Sequence, residues 1–131
     1  MTNVLGITSG VSGFAVPDID AAKAFYGDTL GLEVSEPGMG LLSLTLPGGV
    51  TVMVYPKPDH APAVFTILNF EVSDIDSAVD RLTANGVVFE RYAAFDQDEK
   101  GIARSDNPEH GPSIAWFTDP AGNILAVMQS A

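Results

Sequence analysis

Hydrophobic residues fall into two rhythms along this chain, one of period two and one of period three to four, and their order occurs twice. Residues 11–16, VSGFAV, make a short apolar run that stops at Pro17, which has no amide to donate to a ladder. Asp18 follows where a helix N-cap belongs, and Asp20 lies in the first turn, where a carboxylate suits the macrodipole. Ile19, Ala22, Phe25 and Tyr26 share one helical face, and Gly31 supplies the left-handed residue that ends a helix. LEV at 32–34 returns to strand. Leu42–Leu46 and Val50–Tyr55 then alternate on either side of PGG, a hairpin signal.

The second passage keeps the order. Ile67–Val72 reads as a strand and Asp74 as a cap, and Ile75, Ala78, Val79 and Leu82 form an i, i+3, i+4, i+7 stripe. Asn85-Gly86 ends that helix, VVFERY at 87–92 reads as the next strand, and a polar segment at 93–112 precedes strands SIAWFT (113–118) and ILAVMQ (124–129). Across residues 14–26 and 70–82, six of thirteen positions are identical, from FAVPDIDAA in one copy to FEVSDIDSA in the other. The pattern predicts an α+β fold of tandem βαβββ modules in a single domain, 1–131. Module one spans about 8–56, a Pro-rich linker about 57–65, and module two about 66–130. Neither module alone buries both faces of its sheet, so the two are expected to pair.

Composition then narrows the function classes. With 17 acidic and 6 basic residues the net charge is −11, so no basic patch exists to neutralise phosphates, and nucleic acid and anionic membrane surfaces are disfavoured. Such a field attracts cationic small molecules, although solubility alone accounts for it. The absence of cysteine removes disulfides, thiol nucleophiles and thiolate metal sites. No apolar run approaches a membrane span and no secretory leader is visible at MTNVLGITSG, so a cytoplasmic protein is expected. GITSGVSG at 6–13 precedes a strand and lacks phosphate-loop spacing, and no Ser-His-Asp arrangement can be drawn from His60 and His110. The acidic residues of 93–112 match no metal-binding spacing and suit a solvated loop. DPAGN at 119–123 is explained as a turn.

VPDIDAAKAFYGDTLGLEV at 16–34 and WFTDPAGNILAV at 116–127 resemble the vicinal oxygen chelate superfamily, which includes glyoxalase I, bleomycin-resistance proteins, fosfomycin-resistance enzymes and extradiol dioxygenases. The resemblance covers nearly the whole chain. It implies a concave mixed sheet around a ligand cavity, a homodimer, and four metal ligands inside the cavity. At the positions it implies for those ligands stand Val11, Ile67 and Ala126. The strand expected to carry the fourth, VTVMVY at 50–55, has neither His nor carboxylate. Val, Ile and Ala offer a cation no nitrogen or oxygen. The reading is therefore a protein without metal or other cofactor that sequesters a small organic ligand, cationic or aromatic and antibiotic-like. The expected cavity residues are Val11, Gly13, Val52, Val54, Ile67, Asn69, Glu71, Trp116, Ala126 and Met128. Ile67, Asn69 and Glu71 are expected on one face by alternation, and Met53, Tyr55, Trp116, Phe117 and Met128 on strands of the concave sheet. No catalytic residue is assigned. The alternatives are a lyase or dioxygenase with a displaced metal site, and an accessory or regulatory domain. Segment 93–112 is long enough for a lid.

Overall fold

Asp18 and Asp74 both cap helices. The Asp18 carboxylate accepts hydrogen bonds from the amides of Asp20 and Ala21, each at 3.1 Å, and Asp74 accepts from Ser77 at 3.1 Å. Each cap stands after a strand and turns the chain into a helix, which then returns to lay the next strands. The computed structural model describes residues 5–130. Two units result, Met1–Asp59 and His60–Ala131.

In the first unit, β1 (Ser12–Val16) leads into α1 (Ile19–Lys23), followed by β2 (Glu33–Gly38), β3 (Leu41–Leu46) and β4 (Val50–Pro56). The sheet order is β1-β4-β3-β2, with β1 parallel to β4 and the other pairs antiparallel. α1 is shorter than its apolar stripe predicts. From Ala24 to Thr29 the backbone widens, and the Leu30 amide reaches the carbonyl of Phe25, five residues back, at 2.9 Å. Gly31, at φ 72°, then lets Leu32 bond to the Tyr26 carbonyl. The wide turn keeps Tyr26 fully buried, its ring 5.6 Å from that of Phe14. Leu42, Leu44, Val52 and Val54 complete this core beneath the helix. Gly48 and Gly49, both at positive φ, close the β3–β4 hairpin as PGG predicts.

The second unit repeats the plan with a longer, regular helix and one strand fewer. β5 (Thr66–Glu71), α2 (Ile75–Ala84), β6 (Ser113–Thr118) and β7 (Ile124–Gln129) form a sheet of order β5-β7-β6, with β5 parallel to β7. The strand expected at 87–92 is absent, so this module has three strands where βαβββ predicts four. Its place beside β6 is filled in pieces. Glu90 donates its amide to the Trp116 carbonyl at 2.8 Å, and Ala103 forms an isolated antiparallel bridge with Ile114. Between them the Gln97 side chain does the work of a ladder. Its Oε1 accepts from the Tyr92 amide at 2.8 Å, and its Nε2 donates to the carbonyls of Glu90 at 2.9 Å and Gly101 at 2.7 Å. An amide side chain has the donor and acceptor of a peptide group, so it satisfies backbone that would otherwise need a neighbouring strand. The DPAGN turn is likewise closed internally: the buried Asp119 carboxylate accepts from the amides of Ala121 and Asn123 and from the Asn123 side chain.

Gln97→Leu should lower unfolding free energy by about 2 kcal/mol, because three backbone groups lose their partner at once. Urea denaturation would measure the loss, and amide exchange should show it concentrated at Tyr92 and its neighbours.

Candidate functional site

A sheet covered by one helix has a packed face and a second face left over, and registration of the strands sorts every residue between them. In the second unit Leu68, Leu125 and Phe117 lie in one row and Phe70, Val127 and Ala115 in the next. These rows share a side with Gln129, whose Oε1 accepts the Ile75 amide at 2.8 Å, so α2 lies over them. The opposite, open face has the rows Asn69–Ala126–Trp116 and Glu71–Met128–Ile114. Asn69 and Glu71 are exposed and Met128 is partly exposed, whereas Ala126 is fully buried.

Trp116 is only 7% exposed because two aromatic rings from the irregular segment close over it. The Phe95 ring centroid lies 4.6 Å away, tilted by 37°, and Tyr92 meets the indole edge-on at 5.4 Å. Phe95 is itself 51% exposed, so it presents an aromatic surface backed by Trp116. The Tyr92 phenol is raised above its ordinary pKa, by burial first and by the charge of Glu90 second. Tyr92 and Phe95 did not figure among the expected cavity residues. Tyr92 ends the expected strand 87–92 and Phe95 lies three residues on, in the polar segment; that spacing is the one signal the sequence offers.

The remaining expected positions divide. Gly13 lies on the open face of the first sheet, beside Met53 in parallel register, and Ala15 lies beside Tyr55. Val11, exposed, precedes β1 by one residue. Val52 and Val54, expected to line a cavity, do not lie on that face. They are 3% and 0% exposed, paired with Leu44 and Leu42 beneath α1, and the open positions of β4 are Met53 and Tyr55. Phe117 is likewise buried on the helix side, 5.6 Å from Phe89. Ile67 does not simply continue the alternation of Asn69 and Glu71: Thr66 pairs with Ile124 and Leu68 with Leu125, so the ladder is irregular at Ile67.

The acidic segment 93–112 is only partly a solvated loop. Arg104 bonds both oxygens of Asp76 on α2, at 2.8 and 2.7 Å, and its Nε donates to Asp98 at 2.8 Å. Lys100 joins Asp76 at 3.3 Å and Asp80 at 3.0 Å. These contacts strap residues 98–104 to the helix. The Arg104 guanidinium holds Asp76 well below the usual carboxylate range; partial burial opposes this and Lys100 adds to it. Asp98 is pushed up by burial but lowered on balance by the amides of Ile102 and Lys100 and by Arg104. A pocket of about 410 Å³ adjoins the strap, lined by Asp76, Arg104, Ser105, Asp106, Ser113 and Gln129. Ser113 and Gln129 belong to the helix side of the sheet, so this pocket is distinct from the open face.

Donors for a metal do not assemble among the described residues. Val11, Ile67 and Ala126 stand at three of the positions implied by the resemblance, and β4 has no His or carboxylate. Among the described residues no group of three or more His, Cys, Asp and Glu is placed to hold an ion. His60 is in neither helix nor strand, with Nε2 buried and unpartnered, and His110 sits on an exposed single turn, Pro108–His110. The residues present do not fit the metal centre that the resemblance implies. No helix among the described residues is long and apolar enough to cross a membrane.

Residues 10–127 match the family model described as Glyoxalase/Bleomycin resistance protein/Dioxygenase superfamily. The chain is similar to an ethylmalonyl-CoA/methylmalonyl-CoA epimerase of Cereibacter sphaeroides, 36% identical over 88 residues; the match spans 55% of this chain and 66% of the relative. The fold is similar to TnmS3, an antibiotic binding protein from Streptomyces sp. CB03234, with TM-score 0.67, 24% identity and coverage of 94% of this chain and 97% of that one. It is also similar to a putative glyoxalase family protein from Bacillus anthracis, with TM-score 0.69, 22% identity and complete coverage, 100%, of both.

The strap makes stability depend on pH in a defined sense. Asp76 has a depressed pKa in the folded chain, so its contribution is complete above the ordinary carboxylate pKa of about 4 and fades as pH falls below it. Arg104→Gln should therefore lower the melting temperature at pH 6, and the gap to the parent should narrow on acidification below about pH 4. Added salt should narrow it too, since these side chains are partly exposed.

Proposed function

The chain belongs to the Glyoxalase/Bleomycin resistance protein/Dioxygenase superfamily, and on that premise we propose that it is a metal-independent binding protein that holds a small organic molecule against the open face of its second sheet. The observation that carries this reading is the substitution of apolar residues for metal ligands on a chain that also builds an aromatic corner. Val11, Ile67 and Ala126 offer no donor atoms, while Phe95, Trp116 and Tyr92 form a packed aromatic group beside the exposed polar residues Asn69 and Glu71. Affinity comes from covering the Phe95 ring and its surroundings with a flat ligand, and the polar pair orients it. Function is sequestration, with no bond made or broken. Similarity to an antibiotic binding protein supports the reading, and a homodimer is part of it.

A screen of flat organic compounds should raise the melting temperature and shift the emission of Trp116, the single tryptophan. Phe95→Ala should weaken the best hit by roughly three- to tenfold, in line with loss of one aromatic contact. A screen that moves neither signal would sink this function.

Similarity to an epimerase favours a second reading, an enzyme of the superfamily; in its testable form the metal is held at a site other than the one the resemblance implies. Metal analysis of the purified protein separates the two. Stoichiometric metal that survives dialysis and is removed by chelator would favour the enzyme.

A further inference from the structure

Glu71 is a carboxylate without an internal partner on the face that the binding reading uses. Among the described residues it forms no ion pair and no hydrogen bond, and it is exposed on the row next to Asn69 and Trp116. The chain's cations are engaged or placed elsewhere. Lys23 pairs with Glu36, Lys57 with Asp59, and Lys100 and Arg104 with the α2 strap. Arg91 donates to the Glu99 carbonyl, and Arg81 lies exposed on α2, the element over the opposite face. The open face thus has an unpaired negative charge, an exposed aromatic ring and no basic side chain from its own strands.

Resting on the binding reading, we infer that the ligand is an aromatic cation of at least two fused rings, with Glu71 as the residue that selects its charge. Three ligand charges can be compared. An anion meets Glu71 and a chain of net charge −11, and is repelled. A neutral ring covers Phe95 but desolvates Glu71 with nothing in return. A cation gains twice, from the carboxylate and from the quadrupole of the Phe95 ring. Size follows from the sheet. Trp116 and Glu71 are separated by two strand spacings and two residues along the strand, about 12 Å between Cα atoms. A single ring is too short to touch the aromatic corner and the carboxylate together. Two fused rings bearing the charge at one end bridge them once the side chains reach inward. Asn69, on the row between, supplies a donor or acceptor to the ring edge.

The experiment titrates the folded protein with 1-methylquinolinium and with neutral quinoline at pH 8, following the single indole N–H resonance of Trp116. Parent protein should bind the cation about tenfold more tightly than the neutral ring. Glu71→Gln keeps the shape of an exposed side chain and should cut that preference to about twofold, by weakening the cation and slightly tightening quinoline, because an amide costs less to cover than a carboxylate. Raising the salt concentration should erode the preference in the parent and hardly affect the variant. Equal affinities in the parent, or a preference that survives Glu71→Gln, would overturn the charge assignment while the binding reading stands. If neither probe shifts the resonance saturably, the binding reading falls and this inference falls with it.

Discussion

One helix cannot cover both faces of a sheet, and most of what this protein offers chemically follows from that. In each unit the helix returns across three or four strands and buries one set of alternating side chains. Under α1 these are Leu42, Leu44, Val52 and Val54, locked by Tyr26; under α2 they are Ala115, Phe117, Leu125 and Val127. Registration then gives the opposite face to whatever residues remain. In the second unit the remainder is Asn69, Glu71, Ala126, Met128, Ile114 and Trp116, a mixture of carboxylate, amide and apolar side chains.

The second unit lacks the fourth strand that the first has, and its candidate site depends on that departure. A fourth strand would have run residues 87–92 along β6 in a regular ladder. Instead the chain touches β6 at Glu90, leaves, and returns at Ala103. Freed from strand geometry, Tyr92 and Phe95 close over Trp116. Gln97 satisfies the backbone polar groups that the missing ladder would have paired, and Arg104 and Lys100 tie the returning segment to α2. A long connection that looked like a solvated lid is therefore held at both ends by directional contacts. Of its acidic residues Asp98 anchors Arg104, while the other carboxylates of the strap, Asp76 and Asp80, belong to α2.

Much of the architecture was readable from the chain alone because it is encoded locally. Asp18 and Asp74 precede apolar stripes, Pro17 stops a strand and PGG closes a hairpin, and each signal acts within a few residues of itself. The side of a strand that faces a ligand was less readable. In VTVMVY both phases of the alternation are apolar, so periodicity had no contrast to work with. The pattern reads Val52 and Val54 as cavity residues, whereas they pack in the core and Met53 and Tyr55 take the other face. At Thr66–Leu68 an irregular register breaks the count that would have carried Ile67 along with Asn69 and Glu71.

The sequence by itself determined the two modules, their caps and turns, and the apolar identity of the positions where relatives are expected to hold metal. Those properties depend on residue type and short-range spacing. Tertiary structure alone decided that VVFERY does not become a strand, that Gln97 takes over its hydrogen bonds, and that Arg104 reaches back to Asp76, 28 residues earlier. Strand pairing is a competition between distant partners. The winner depends on which backbone groups are brought within hydrogen-bonding reach, and local propensity does not contain that distance.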